Sequence, residues 1–225
     1  MGRFDNILFD LDGTLTDSGP GITKSVQHAL RGMGIEENNL KNLERFIGPP
    51  LSNSFHEYYG LEGERNREAV IRFRKRYETI GLFENEPYPG IPELLRDAQA
   101  AGIRLAVASS KPEPTVIEIL KHFDLAKYFT VIVGSDVRRE MSGQPMTSDK
   151  AEIVGMALAG LCGAFLARTA MVGDRLYDME GAREAGVHPV GVVYGYGSAA
   201  ELRESGAEFL AEDVAALRRY LLGEE

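Results

Sequence analysis

The stretch that decides the fold is residues 7–17, which read ILFDLDGTLTD. An apolar run is followed by two carboxylates, Asp10 and Asp12, and then by Gly13, which breaks a strand. Side chains of an extended segment alternate between faces, so Asp10 and Asp12 would project the same way if the strand continued that far. Two like charges repel each other unless a cation or a shared proton offsets them. Because open α/β sheets bind ligands at the carboxyl ends of their strands, the stretch predicts a ligand site, with an acidic surface turn as the alternative.

The composition is that of an ordinary globular protein, with 44% hydrophobic and 26% charged residues in a chain of 225. The net charge of −9 argues against nucleic acid as a partner, because nucleic acid is bound through Lys and Arg. The single cysteine, Cys162, excludes an intramolecular disulfide and fits a reducing compartment. No apolar run is long enough for a signal peptide or a membrane span. We therefore expect a cytoplasmic protein with no membrane partner, either a monomer or a homodimer.

Apolar periodicity predicts two kinds of region along the chain. Residues 16–84 contain predicted helices and no convincing strand, whereas strands and helices alternate afterwards. The predicted strands cover residues 4–10, 103–108, 129–133, 170–172, 189–194 and 209–210. The predicted helices cover residues 21–33, 40–47, 51–59, 64–80, 91–101, 113–122, 150–161, 176–185, 199–204 and 214–222. Residues 138–148 are predicted to be a polar loop.

This alternation predicts an α/β protein with a doubly wound parallel-sheet (Rossmann-like) core. The core is expected to comprise residues 1–15 and 86–225. Residues 16–85 are expected to form an inserted all-helical domain.

Polar side chains stand at the ends of three other predicted elements. Ser109 and Ser110 end a strand before a predicted helix, where backbone N–H groups bind anions, although a serine there can also be a plain N-cap. Asp174 and Asp178 follow another strand, four residues apart, and acidic residues in a first helical turn are also ordinary partners of the helix dipole. Lys150 stands at a predicted helix start, where it is either solvated or drawn in by an anion.

Parallel strands bring their carboxyl ends to one edge of a sheet. The residues expected at that edge are Asp10, Asp12, Ser109, Lys150 and Asp174. Three carboxylates suit a hard cation such as Mg²⁺, which often bridges to phosphate. A hydroxyl and a lysine would bind phosphoryl oxygens, while one carboxylate serves as a nucleophile and a neighbour as a general acid.

The chain resembles the haloacid dehalogenase superfamily in its phosphatase form. Residues 10–14, DLDGT, look like its motif I, Ser109 matches the motif II Ser/Thr, and residues 173–178 look like motif IV. The phrase VASSKP at residues 107–112 is similar to the phosphoglycolate phosphatase-like branch. The insert after motif I resembles the helical C1 cap of that superfamily.

The resemblance implies a role for each matching residue. Asp10 would attack phosphorus and form an aspartyl-phosphate, and Asp12 would protonate the leaving alcohol and then help water to hydrolyse the intermediate. Ser109, Ser110 and Lys150 would bind the phosphoryl group. Mg²⁺ would be held by Asp10, the backbone carbonyl of Asp12, Asp174 and, indirectly, Asp178.

Two assignments stay open at this point. Lys111 is a rival to Lys150 for the motif III lysine, although it follows motif II at once. Gly48 and Pro49, which end a predicted helix, could form a rigid loop that selects the substrate, or a simple helix–helix turn.

The expected activity is Mg²⁺-dependent hydrolysis of a small phosphomonoester, similar to that of phosphoglycolate phosphatase. A 5′-nucleotidase, a pyrophosphatase, a sugar-phosphate mutase and a non-catalytic protein that binds a phosphorylated ligand are the alternatives. Haloacid dehalogenation and phosphonate hydrolysis are disfavoured because Asp12 is present. A receiver domain would not carry a helical insert after its first strand.

Overall fold

The structure, a computed structural model, describes residues 3–136 and 150–224. The chain divides into two compact units, Met1–Thr16 with Pro87–Glu225, and Asp17–Glu86. Each boundary lies one residue beyond the one predicted. The predicted loop at residues 138–148 lies outside the described residues.

The larger unit, which we call the α/β unit, contains a sheet of six parallel strands. The six strands are β1 Asn6–Phe9, β4 Arg104–Pro112, β5 Val131–Ser135, β6 Thr169–Gly173, β7 His188–Val192 and β8 Phe209–Ala211. Their order across the sheet is β5-β4-β1-β6-β7-β8. The labels β2 and β3 belong to two short strands, Thr16–Asp17 and Glu86–Pro87. This arrangement confirms the predicted doubly wound α/β core.

The central strands are buried because they are apolar on both faces. Ile7, Leu8 and Phe9 of β1 are fully buried, and β1 pairs with β4 on one side and with β6 on the other. Near-continuous apolar sequence is what a parallel sheet covered by helices requires. The described helices of this unit are α4 Ile91–Ala100, α5 Glu113–His122, α6 Lys150–Gly160, α7 Leu176–Glu184, α8 Ala199–Glu204 and α9 Val214–Leu222. Short 3₁₀ helices lie at Ala126–Tyr128 and Leu166–Arg168.

The smaller unit, which we call the helical unit, contains α1 Gly19–Gly32, α2 Leu51–Tyr59 and α3 Gly63–Tyr77. Two 3₁₀ helices, Leu40–Phe46 and Gly81–Phe83, complete it. Its core includes the edge-on contact of Phe46 with Phe55, whose ring centroids are 5.0 Å apart.

Three local predictions are wrong. Residues 16–84 are not entirely helical, because Thr16–Asp17 forms a two-residue strand, β2, that pairs with β3, Glu86–Pro87. Strand β1 ends at Phe9, so Asp10 and Asp12 do not share a strand face. Strand β4 continues to Pro112, because a register shift after Ala108 lets it keep pairing with β5. The two serines therefore lie within a strand and not at a helix N-terminus.

In the described parts of the chain, we find no helix with the length and hydrophobicity that a membrane span requires.

Candidate active site

Asp10 stands directly after β1, at the carboxyl edge of the sheet. Its backbone N–H donates to the carbonyl of Val172 at 2.9 Å, which ties this residue to the neighbouring strand β6. Its side chain is largely buried, and Oδ1 accepts a hydrogen bond of 2.9 Å from Nζ of Lys150.

Lys150 is a buried cation at the start of α6. Besides Asp10, its Nζ lies 2.8 Å from Oδ1 of Asp178 and donates to the carbonyl of Ala108 at 2.9 Å. An ammonium has three donors, and here it has three oxygen neighbours. Burial lowers the pKa of Lys150, but Asp10 and Asp178 outweigh it and raise that pKa above its ordinary value. The lysine is therefore a permanent local cation, and the solvated alternative for this residue is wrong.

Asp178 lies in the first turn of α7 and has two partners. Its Oδ2 accepts the backbone N–H of Arg175 at 3.0 Å, as a helix-capping carboxylate does, while its Oδ1 faces Lys150. The carboxylate also packs on Gly173, where an added Cβ would lie 2.2 Å from the Cβ of Asp178. Asp178 thus has a structural role as well as a place in the site.

Three buried carboxylates meet at this edge. Oxygen atoms of Asp10, Asp174 and Asp178 all lie within 4.8 Å of one another. Burial and the nearby Asp178 together raise the pKa of Asp10 to about 6, against the opposing effect of Lys150. Burial, with Asp178 and Asp10 nearby, also raises the pKa of Asp174 well above its ordinary value. Both pKa values are raised for the same reasons: the carboxyl groups are buried away from water, and other carboxylates lie close to them.

The cluster fits a divalent cation. Three carboxylates and one ammonium leave a formal charge of −2 in the buried site. Oδ1 of Asp174 is buried and has no hydrogen-bond partner among the described residues, which is costly for a carboxylate oxygen. Oxygen donors of this kind are those that Mg²⁺ prefers.

A loop after β7 holds Asp174 in place, and the sequence interpretation missed it. Residues 194–197 read YGYG, and the backbone N–H of Tyr196 donates to Oδ2 of Asp174 at 2.8 Å. A Cβ at Gly195 would lie 2.3 Å from the carbonyl oxygen of Gly13 and 2.5 Å from the Cβ of Asp174. The loop therefore approaches Asp174 as closely as a backbone without side chains allows. Alternating glycine and tyrosine after a strand of the sheet was the signal that could have found it.

Asp12 is paired with a different lysine. Nζ of Lys111 lies 2.7 Å from Oδ2 of Asp12, so the rival candidate for motif III contacts the second aspartate while Lys150 contacts the first. The carboxylate of Asp12 is not part of the cluster of Asp10, Asp174 and Asp178. Its predicted contribution to a metal site concerns its backbone carbonyl and stays a prediction.

The two predicted phosphate-binding serines differ in burial. Ser109 is buried, and its Oγ accepts the backbone N–H of Lys111 at 3.4 Å, whereas Ser110 is half-buried. Lys150 reaches the same strand through its bond to Ala108, the residue before Ser109. Gly48 and Pro49 belong to the helical unit, where Gly48 has a φ of 104°, and their role as substrate-selecting residues stays a prediction.

The comparisons with known proteins agree with this geometry. A family model described as haloacid dehalogenase-like hydrolase matches residues 7–192, which is most of the chain. The chain belongs to the haloacid dehalogenase-like hydrolase family. The predicted family is thereby confirmed.

Relatives within this family carry several names. A 5′-nucleotidase from Pseudomonas aeruginosa is 44% identical over 97% of this chain and 96% of its own length. A phosphoglycolate phosphatase from Neisseria meningitidis is 31% identical over 89% of this chain and 85% of its own length. The tyrosine-protein kinase PtkA from Mycobacterium tuberculosis is 40% identical over 86% of this chain, and the match spans 63% of that protein.

A solved structure of the family has the same fold. The crystal structure of a predicted phosphatase from Clostridium acetobutylicum matches with a TM-score of 0.89 and 40% identity, covering 98% of this chain and 99% of that one. The haloacid dehalogenase-like fold therefore extends over both units of the chain.

Proposed function

We propose that this haloacid dehalogenase-like hydrolase is a Mg²⁺-dependent phosphatase that cleaves small phosphomonoesters through an aspartyl-phosphate. The observation that carries the proposal is the pairing of two aspartates with two different lysines beside a buried carboxylate cluster. One aspartate is thereby free to act as a nucleophile and the other as an acid and base.

Asp10 is the proposed nucleophile. Oδ1 is held by Lys150, and 13% of the side chain stays accessible, so the carboxylate is fixed and still open to a substrate. In the first step, a carboxylate oxygen of Asp10 forms a bond to phosphorus, and the bond from phosphorus to the ester oxygen breaks. The permanent charge of Lys150 favours the ionised form of Asp10 that this attack needs.

Asp12 is the proposed general acid and base. It gives a proton to the departing ester oxygen, which becomes an alcohol. In the second step, it takes a proton from a water molecule whose oxygen attacks phosphorus. The bond between phosphorus and Asp10 breaks, which restores the Asp10 carboxylate and releases inorganic phosphate. The separate lysine of Asp12 supports this division of labour.

Ser109, Ser110 and Lys150 are the proposed ligands of the phosphoryl oxygens. The hydroxyl groups of β4 and the ammonium at the start of α6 supply donors where negative charge develops during transfer. This local positive charge is needed because the chain as a whole carries a net charge of −9, which does not attract an anion.

Asp10 and Asp174 are the proposed side-chain ligands of Mg²⁺, with the backbone carbonyl of Asp12 and with Asp178 assisting indirectly. When bound, Mg²⁺ supplies positive charge that neutralises the cluster and the phosphate. The unpartnered Oδ1 of Asp174 is the observation that supports this role.

For the substrate, we propose a small phosphomonoester such as 2-phosphoglycolate, with a nucleoside monophosphate as the second candidate. The phosphoglycolate phosphatase relative supports the first, and the 44% identity to a protein named 5′-nucleotidase favours the second. Gly48 and Pro49 of the helical unit are proposed to select the leaving group. We also propose that the protein is cytoplasmic.

The test is a panel of phosphate esters with the purified protein and Mg²⁺. The panel contains p-nitrophenyl phosphate, 2-phosphoglycolate, nucleoside monophosphates, a hexose phosphate and pyrophosphate, with release of inorganic phosphate as the readout. We expect release that stops when Mg²⁺ is chelated and that falls by roughly 10³-fold or more in Asp10→Asn. Conversion of the hexose phosphate to an isomer without phosphate release would indicate a mutase. Full activity of Asp10→Asn, or no release from any ester, would contradict the proposal.

A further inference from the structure

The proposed mechanism gives Lys111, which pairs with Asp12, no step of its own. Nζ of Lys111 lies 2.7 Å from Oδ2 of Asp12, and only 8% and 14% of the two side chains are accessible. An ion pair removed this far from water is held much more firmly than a surface pair.

The two oxygens of Asp12 have different surroundings. Oδ2 is bound to Lys111, whereas Oδ1 is buried and has no hydrogen-bond partner among the described residues. A buried oxygen without a partner is costly, so the arrangement is explained if Oδ1 is kept for a group that arrives with the substrate.

The backbone around Asp12 is fixed by the turn that follows it. Gly13 has a φ of 79°, and its N–H donates to the carbonyl of Thr16 at 2.8 Å. Leu15 N–H donates to the carbonyl of Leu11 at 2.9 Å. With the main chain fixed, the direction of the Asp12 carboxylate depends on its side-chain torsions, and Lys111 is the residue that restrains them.

The position of Lys111 in the sheet explains how its side chain reaches Asp12. Lys111 lies in β4, within the irregular stretch between Ala108 and Pro112, beyond the residues of the strand that pair with β1. A lysine at this point reaches toward the turn after β1. The continuation of β4 that local sequence did not predict is therefore what brings the cation to Asp12.

We propose that Lys111 is a positioning residue: it anchors Oδ2 of Asp12 so that Oδ1 faces the ester oxygen of the substrate. This inference rests on the proposed function. It assigns to Lys111 a role in the departure of the alcohol, distinct from the role of Lys150 beside the nucleophile.

The effect of a substitution at Lys111 on the rate of hydrolysis should therefore depend on the leaving group. An alkyl ester needs a proton as its bond to phosphorus breaks, because an alkoxide is a poor leaving group, whereas p-nitrophenolate leaves unprotonated. A well-placed general acid contributes about 10² to 10⁴ in rate, and a misplaced one loses part of it. The parameter to compare is kcat/KM, because it covers the steps up to the formation of the aspartyl-phosphate.

The experiment compares Lys111→Met with the wild type on two substrates, p-nitrophenyl phosphate and the alkyl phosphate of the panel with the highest kcat/KM. We expect kcat/KM for the alkyl ester to fall by about 30-fold to 100-fold, and that for the aryl ester by less than about 5-fold. Lys111→Arg, which keeps a cation at this place, should restore most of the activity toward the alkyl ester. Lys121→Met in α5, an exposed lysine, is the matched control and should leave both values unchanged.

Two further measurements separate positioning from other roles. In an Asp12→Asn background, Lys111→Met should add less than about 2-fold, because the group that it positions is gone. Calorimetric affinity for Mg²⁺ should be unchanged in Lys111→Met, because Asp12, with which Lys111 pairs, is not one of the three clustered carboxylates.

An equal fall for both esters would overturn the inference, since it would mean that Lys111 binds the phosphate or supports the fold. An undiminished effect of Lys111→Met in the Asp12→Asn background would overturn it as well. If the wild type hydrolyses neither ester, the proposed function fails, and the inference fails with it. The first two results leave the proposed function standing.

Discussion

At the scale of single residues, Asp10 has to keep a charge that its surroundings oppose. Burial raises its pKa from 3.8 to about 6, even though Lys150 is bound to it. In the metal-free protein, the folded state therefore holds a proton on Asp10 over a pH range in which the unfolded chain has lost it. As the proposed nucleophile, the same residue must be ionised to attack phosphorus, so its ionisation in the folded state carries a cost in free energy.

This cost predicts a pH-dependent stability difference between Asp10→Asn and the wild type, both without Mg²⁺. A carboxyl whose folded pKa is raised stabilises the fold at low pH and loses that contribution as the pH rises from about 4 to about 6. Asparagine does not ionise, so the stability of Asp10→Asn relative to the wild type should increase over this range. A shift of roughly two pKa units corresponds to an increase of about 3 kcal/mol.

Urea unfolding of both proteins at several pH values measures this difference. Glu184→Gln, an exposed carboxylate-to-amide change in α7, controls for the loss of one negative charge. A stability difference between Asp10→Asn and the wild type that stays constant from about pH 4 to about pH 7 would contradict the assigned cause.

The residues of the candidate site differ in how far local sequence predicts them. Asp10, Asp12 and Asp174 follow apolar strands, and the geometry of a parallel sheet alone predicts that such positions share an edge. Lys150 and Lys111 were rival candidates in the sequence, and only the fold shows that the first contacts Asp10 and the second Asp12. The contact of Lys111 with Asp12 spans 99 residues of sequence and depends on a register shift, so no local pattern indicates it.

At the scale of elements, the loop after β7 acts on the site through its backbone. Gly195 lies against the carbonyl oxygen of Gly13 and against Asp174, where an added Cβ would meet atoms at 2.3 and 2.5 Å. Asp174 belongs to the candidate site, so a displacement of the loop would reach the site through this contact.

Gly195→Ala should therefore weaken Mg²⁺ binding. The methyl group would push the loop away and lengthen the 2.8 Å bond from Tyr196 N–H to Asp174, which orients the carboxylate. Loss of such a supporting bond typically lowers metal affinity by about 10-fold to 100-fold. Because the chain has no tryptophan, isothermal calorimetry is the suitable measurement.

The chain offers a matched control for this glycine. Gly155 lies in α6 with open space where its Cβ would be, so Gly155→Ala should leave the affinity for Mg²⁺ unchanged. It should also stabilise the helix, by up to about 1 kcal/mol. Equal metal affinity in Gly195→Ala and Gly155→Ala would show that the loop does not support Asp174.

The helices and strands themselves were largely predictable, because apolar periodicity and the glycines that end helices are signals in the local sequence. Helices α2, α5 and α9 have the predicted bounds. The errors fall where pairing with a neighbour decides the outcome. Strand β4 extends to Pro112 because β5 lies beside it, and the two-residue strand Thr16–Asp17 exists because Glu86–Pro87 pairs with it.

At the scale of the whole molecule, the chain leaves the α/β unit and returns to it at neighbouring points. Tyr88 N–H donates to the carbonyl of Leu15 at 3.1 Å, so the two ends of the α/β unit that flank the helical unit lie side by side. The buried carboxylates and both lysines of the candidate site belong to the α/β unit. Under the proposed function, the hydrolytic chemistry belongs to the α/β unit and the choice of substrate to the helical unit.

This division predicts the behaviour of a variant in which a short Gly-Ser linker replaces residues 17–86. Because the flanking ends are adjacent, the linker closes a small loop at little entropic cost, and we expect the α/β unit to fold and to bind Mg²⁺. It should still release p-nitrophenol from p-nitrophenyl phosphate, while its kcat/KM values for the esters of the panel become similar to one another.

Pro49→Ala in the full chain is the milder companion variant, expected to change the ranking of substrates without loss of Mg²⁺ binding. Failure of the shortened chain to unfold cooperatively would contradict the independence of the α/β unit, and an unchanged substrate ranking would contradict selection by the helical unit.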